Sequence, residues 1–92
     1  MIVIDHQPNE WTLLRRDDEW FLEVVSGISH LAFYFIIKLD EDEVAAMGMF
    51  GRPAIQEIAG AWADRWLDAE LLSSSDEAEA EAALRDFRQS KP

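Results

Sequence analysis

Residues 31–43 read LAFYFIIKLDEDE, and the change of character inside this stretch decides the fold. Residues 31–39 are rich in aromatic and branched aliphatic side chains, which is typical of a β-strand. Four consecutive acids follow at positions 40–43. Asp40 with Glu43 three residues later is a helix-start pattern, and the helix dipole favours acids in the first turn. The stretch therefore predicts a strand that ends where a helix begins.

A first hairpin is predicted before this stretch. Residues 11–16 and 20–25 are rich in aromatic and aliphatic side chains, and charged residues separate them. A two-residue turn at Asp17 and Asp18 would pair Leu14 with Phe21, although Asp-Asp is a weaker turn than Asp-Gly.

A second hairpin would join residues 20–25 to residues 31–39. Gly27 and Ile28 suit a type II′ turn, because its first central position favours glycine. This turn would place Phe21 beside Tyr34 as a cross-strand aromatic pair. The two hairpins assign the residues of the middle strand to the same two faces, so together they predict a three-stranded antiparallel meander.

The two faces of this predicted sheet differ in how they are covered. One face forms the core, with Trp11, Leu13, Trp20, Leu22, Val24, Leu31, Phe33, Phe35 and Ile37. The other face carries Leu14, Phe21, Tyr34 and Ile36. Because a monomer seldom leaves several large apolar groups together in water, either the C-terminal helix or another chain should cover this second face.

Helices are predicted after the sheet. Pro53 suits the first turn of a helix over residues 53–67, whose apolar residues recur at helical spacing and would cover the core face. Ser74 with Glu77 predicts the start of a further helix over residues 76–89. We expect an α+β fold: a three-stranded antiparallel meander, then two or three helices, in one domain of residues 1–92. Residues 1–10 and 88–92 are expected to be loosely ordered.

The chain is strongly acidic. It has 19 acidic and 8 basic residues among 92, a formal net charge of −11, and thirteen of the acids lie in residues 40–92. Such a surface repels phosphates and anionic lipids, so we expect neither nucleic acid nor a membrane as partner. A basic protein would be attracted, although the charge could equally serve solubility alone.

Several features predict a soluble cytoplasmic protein. The chain has no cysteine, which fits a reducing compartment. The apolar start of the chain is cut short by Asp5, so no export signal is expected. The longest apolar run, residues 31–37, is about a third of the roughly 20 residues that a membrane-spanning helix needs.

No residue cluster indicates catalysis, a metal or a cofactor. His6 and His30 are the only histidines, and their spacing matches no ligand pattern. The serines fall in predicted turns or at a helix start, where local hydrogen bonding is their usual role. No glycine-rich phosphate loop is present. We therefore expect a protein that is not an enzyme and that uses no cofactor.

Three segments carry a resemblance to a known class of proteins: residues 20–24 (WFLEV), 34–43 (YFIIKLDEDE) and 51–55 (GRPAI). In order and general character they resemble small acidic bacterial immunity-type proteins, which are encoded beside polymorphic or contact-dependent toxins. The resemblance spans residues 11–67 and contains no diagnostic motif. It implies a cytoplasmic, non-catalytic protein that binds and occludes a cognate toxin domain. Many nuclease toxins have basic clefts, which suits an acidic inhibitor.

The candidates for partner binding are acidic residues near the predicted sheet end and apolar residues of its second face. They are Asp17, Asp18, Phe21, Tyr34, Ile36, Asp40, Glu41, Asp42 and Glu43. Two alternatives stay open: a homo-oligomer, such as a homodimer, that pairs through this sheet face, and an acidic nucleic-acid mimic that inhibits a defence protein. If the second face binds a partner, Phe21→Ser should destabilise the monomer much less than Trp62→Ala.

Overall fold

A four-stranded antiparallel sheet precedes the helices in the computed structural model, which describes residues 1–28 and 31–90. The strands follow one another in space in chain order: β1 (Ile2–Gln7), β2 (Trp11–Arg16), β3 (Glu19–Ile28) and β4 (Leu31–Lys38). Then come α1 (Glu41–Phe50), α2 (Arg52–Asp64), a single 3-10 turn (Trp66–Asp68) and α3 (Ser74–Gln89). The predicted α+β class with an antiparallel sheet is confirmed, but the expected number of strands, three, is wrong.

Strand β1 is the element that the sequence did not reveal. Its apolar run is only three residues long before Asp5, and a bulge between Val3 and Asp5 breaks the alternation that would mark a strand. The strand nevertheless pairs with β2 along its length, from Ile2 opposite Arg15 to Gln7 opposite Trp11. Residues 2–7, expected to be loosely ordered, therefore form an edge of the sheet.

The first predicted hairpin is confirmed in its register. Arg16 lies opposite Glu19 and Leu14 opposite Phe21, so Asp17 and Asp18 form the turn. Asp17 has a φ of 52°, a left-handed conformation that aspartate tolerates better than most residues. This explains how the weaker Asp-Asp turn is accommodated.

The second hairpin does not turn at Gly27 and Ile28, which continue β3 instead. Ile28 lies opposite Leu31, and Ser29 and His30 between them lie outside the described residues. Extension of β3 lengthens the ladder, and the Ser26 hydroxyl donates to the carbonyl oxygen of Ala63 at 2.8 Å. The pairing differs from the prediction by an even number of residues, which preserves the face of every side chain.

The expected pair of Phe21 and Tyr34 is therefore wrong. Phe21 lies opposite Lys38, and Tyr34 lies opposite Val25. Both aromatic residues remain on the predicted second face, but they are separated along the sheet.

The predicted core face is confirmed for its members in residues 11–24 and for Phe35 and Ile37, and α2 covers it. The side chain of Leu31 lies outside the described residues, and Phe33 packs against Trp66. The most buried members of this face include Trp11, Leu22 and Val24, which pack with Ile55 and Ala59 of α2. The helix ends at Asp64 rather than at residue 67, because a 3-10 turn takes over. The helix α1 begins as predicted, with Asp40 and Glu43 in a reciprocal capping box.

The second sheet face is a smaller core that α3 covers. Leu14 and Phe21 are fully buried against Leu84 of α3. The C-terminal helix, not another chain, thus covers this part of the sheet, and the expectation that replacing Phe21 would be mild no longer holds. The N-cap of α3 is Ser73, one residue before the predicted Ser74, since the Ser73 hydroxyl accepts from the Asp76 N–H.

Candidate functional site

Strand β4 has an open edge. It is the last strand in the sheet order, so only β3 pairs with it. The N–H of Leu39, just after the strand, donates to the carbonyl oxygen of Trp20 at 2.9 Å. Backbone groups alternate in direction along an antiparallel strand, so the polar groups of Ala32, Tyr34 and Ile36 point away from β3. Within residues 1–28 and 31–90, no backbone hydrogen bond joins these groups to another segment.

An apolar cleft lies along this edge, and we call it the edge groove. It has a volume of about 420 Å³ and runs between β4 and the segment after α2. Several of its side chains are unusually exposed for their type: Tyr34 is 61% exposed, Leu67 79% and Leu71 97%. Trp66 packs edge-on against Phe33 with ring centroids 4.9 Å apart. The groove is lined by Phe33, Tyr34, Phe35, Ile36, Trp66, Leu67, Ala69, Glu70, Leu71, Leu72 and Glu77.

A second cleft, which we call the acidic cleft, adjoins the edge groove. Its volume is about 410 Å³, and it shares Glu70, Leu71 and Leu72 with the groove. Its acidic lining residues are Asp40, Glu43, Asp68, Glu70 and Asp76, and Lys38 is its basic one. An apolar groove with an acidic neighbour is a surface that suits a partner with both apolar and basic groups.

The basic groups around the acidic cleft are already paired with acids. Lys38 Nζ lies 2.6 Å from Glu19 Oε2, and Arg16 contacts Glu19 at 2.7 Å and Asp76 at 2.8 Å. The hydrogen bonds that Lys38 and Arg16 donate to Glu19 lower the pKa of Glu19 to about 2. The hydrogen bonds that Arg16 donates to Glu19 and Asp76 raise the pKa of Arg16 above its ordinary value. The neighbouring cations are thus neutralised.

Glu70 and Glu77 differ from the acids in these pairs. Neither makes an ion pair with a residue in the described ranges, and both are exposed. Their charge remains to attract a cation from outside.

The structure brings the two predicted acidic clusters to one end of the sheet. Asp17 and Asp18 turn the chain into β3, whose first residues lie beside the last residues of β4. Residues 40–43 follow β4 directly. Glu43 accepts a hydrogen bond from Trp62 Nε1 at 2.7 Å and caps α1 together with Asp40, so both serve local structure.

Glu41 and Asp42 are exposed in the first turn of α1. Within residues 1–28 and 31–90, neither side chain makes a hydrogen bond or an ion pair, whereas Asp40 and Glu43 do. Of the four consecutive acids, these two are the better candidates for a charge-steering role.

The three apolar candidates have different environments. Phe21 is fully buried under α3, so its side chain contributes nothing to the surface. Ile36 is partly buried beside the same cluster, while Tyr34 is largely exposed, with the guanidinium carbon of Arg88 5.8 Å from its ring. Tyr34 is therefore the member of this set that a partner can reach most readily.

Trp66, Leu67 and Leu71 were not recognised from the sequence as surface groups. The apolar pattern predicts residues 66 and 67 inside the helix before them, and their exposure follows from the end of α2 at Asp64. The signal that could have revealed this segment was the pair Leu71-Leu72, which falls next to a serine run rather than inside an amphipathic pattern.

The described residues contain no group of three or more histidine, cysteine, aspartate or glutamate side chains arranged to hold a metal ion. The ring of His6 packs edge-on against Phe87, 4.9 Å between centroids, and His30 lies outside the described residues. None of the helices described reaches the length and apolar character needed to cross a membrane.

Comparison with known proteins gives no relative: no protein-family model, curated protein or solved structure matches this chain. The edge groove, the acidic cleft and their charges are therefore the features of this chain that bear on its function.

Proposed function

We propose that this chain is a non-catalytic immunity-type protein that binds and occludes a basic domain of a bacterial toxin. The observation that supports this proposal best is the open edge of β4, bordered by an apolar groove and an acidic cleft. Soluble proteins usually protect a long apolar edge strand, because an open edge pairs readily with other chains. The segment after α2 flanks this edge but makes no backbone hydrogen bond to it within residues 1–28 and 31–90, and an unpaired edge beside concentrated charge fits a binding surface.

Inhibition would proceed by occlusion in two stages. The net charge of −11, with Glu41 and Asp42 exposed beside the site, would attract a basic surface and speed encounter. The exposed side chains of Tyr34, Trp66 and Leu71 would then lose water on contact and slow dissociation. The inhibitor needs no reacting group of its own.

The test is neutralisation of the protein encoded immediately upstream in the genome. We expect that protein to arrest growth when it is expressed alone, and this chain to restore growth and form a stable complex with it. Absence of toxicity, or of any complex, would contradict the proposal.

The role of charge is tested in the same complex by stopped-flow association. Glu41→Gln/Asp42→Asn removes two charges but keeps the capping box, and should slow association several-fold at low salt and little at high salt. Glu10→Gln/Glu57→Gln removes two exposed charges from the β1–β2 loop and from α2 as a matched control. Equal effects of the two variants would show that net charge alone, not its position, governs association.

A second candidate function is a homodimer that pairs through β4. The open edge favours it, since two copies could join their sheets about a two-fold axis. Sedimentation velocity at micromolar concentration separates the candidates: a dimer would support self-pairing, and a monomer would support a separate partner.

A further inference from the structure

We propose that the β4 edge accepts an extended basic segment of the partner as a fifth strand of the sheet. This inference rests on the proposed function and specifies how the partner binds. Three features of the described chain support it: the direction of the backbone groups on β4, the shape of the edge groove and the charge beside it.

The backbone of β4 is suited to this addition. Its eight residues contain four positions, Ala32, Tyr34, Ile36 and Lys38, whose N–H and C=O groups point to the open side. The strand contains no proline, and the β3–β4 register runs from Ile28–Leu31 to Phe21–Lys38 without a bulge. A regular edge with several free donors and acceptors is what strand addition requires.

The edge groove supplies side-chain contacts on both faces of an added strand. Phe33 and Phe35 belong to one face of β4, and Tyr34 and Ile36 to the other, yet all four line the same groove. Because successive side chains of a strand point to opposite faces, an added strand would place alternate residues against the two sets. The exposed Leu71 would extend the contact.

The charge favours a basic occupant over a second copy of this chain. Glu70 and Glu77 line the groove, the acidic cleft adjoins it, and Lys38 is held by Glu19. A second copy would bring another net charge of −11 to this surface, whereas a lysine- or arginine-bearing strand would reduce the repulsion.

The experiment uses the full chain and a ten-residue synthetic probe of alternating lysine and valine. Binding is followed by fluorescence anisotropy of a dye on the peptide. The control is the same peptide N-methylated at alternate residues on the edge that would face β4, which keeps charge and apolar surface but removes strand hydrogen bonds. We expect the unmodified peptide to bind at least about tenfold more tightly than the methylated one.

Substitution of Tyr34 gives the matching test on the protein. Tyr34→Pro removes one outward N–H, a change that an edge strand can accept, while Tyr34→Ala removes the same side chain but keeps the N–H. The proline variant should bind the lysine–valine peptide several-fold more weakly than the alanine variant. Circular dichroism checks that both variants remain folded.

Several outcomes would overturn strand addition: no binding of the unmodified peptide, equal binding of both peptides by the native chain, or equal binding by two folded Tyr34 variants. Self-association through β4 that excludes the peptide would assign the edge to a second copy instead. If Tyr34→Pro neutralises a toxin as potently as the native chain does, the proposed function stands and strand addition fails. If the peptide binds as predicted but no toxin is neutralised, strand addition stands and the proposed function fails.

Discussion

Replacing Phe21 by alanine should destabilise this protein severely, because the side chain lies fully buried between the sheet and α3. Truncation of a buried phenylalanine costs about 3–5 kcal/mol, from the lost burial and the cavity left behind. Domains of this size are stable by about 5–15 kcal/mol, so the loss is a large fraction of the total. Urea titration followed by tryptophan fluorescence and circular dichroism measures it.

Two further variants test whether the packing of α3 on this sheet face explains the loss of stability. Tyr34→Ala changes an aromatic residue on the same sheet face that is 61% exposed, and should cost about 1 kcal/mol or less. Leu84→Ala, on α3, should cost about 2–5 kcal/mol. Because Phe21 and Leu84 belong to one buried cluster, the double variant should lose about 0.5–3 kcal/mol less than the sum of the single losses. A Phe21→Ala loss no larger than that of Tyr34→Ala, or strictly additive losses, would refute the packing of α3 on this face.

Three other substitutions test individual contacts. Asp40→Ala removes the N-cap of α1 and should cost about 1 kcal/mol in urea titration. Glu19, whose pKa is lowered to about 2, stabilises the fold above its unfolded pKa near 4.5, and this contribution disappears as pH falls through about 2. The stability difference between the native chain and Glu19→Gln should therefore be constant above about pH 5 and vanish near pH 2, and a difference that grows on acidification would contradict this sign. Arg88→Met leaves the carboxylate of Glu23, 6% exposed, without its 2.5 Å partner and should cost about 1–3 kcal/mol in thermal melts, whereas Arg88→Met/Glu23→Met should recover part of the loss.

The sequence predicted those parts of the fold that local patterns encode strongly. Alternating apolar residues in residues 11–25 determined both the face and the register of the first hairpin. The Asp40 and Glu43 pattern located the start of α1, and Pro53 indicated the start of α2 to within a residue.

The parts that were missed depend on tertiary contacts. Strand β1 has a short apolar run and a bulge, and it is stabilised chiefly by its pairing with β2. The turn at Gly27 was plausible locally, but the longer ladder and the bond from Ser26 to Ala63 favour extension of β3. The sequence could not show that α3 covers Phe21, because the apolar stripe of α3 is thin. Another chain covering the same sheet face would fit the sequence pattern equally well.

The candidate site was predicted in part. Tyr34 and the acids at 40–43 were recognised from the sequence, and the structure places them along or directly after the edge strand. The predicted meander already placed residues 31–39 at one edge of the sheet, and only the opposite edge changed, from residues 11–16 to β1. The groove beside β4 could not be predicted, because it depends on the course of the segment after α2. The exposure of Leu67 and Leu71 likewise depends on where α2 ends.

Amide hydrogen exchange of the isolated protein by NMR tests whether the β4 edge is open and able to bind another chain. The N–H groups of Phe33 and Phe35 point to β3, whereas those of Tyr34 and Ile36 point outward. We predict that the amides of Tyr34 and Ile36 exchange at least about tenfold faster than those of Phe33 and Phe35. Uniform protection along β4 would mean that its edge is already paired, and it would contradict the claim.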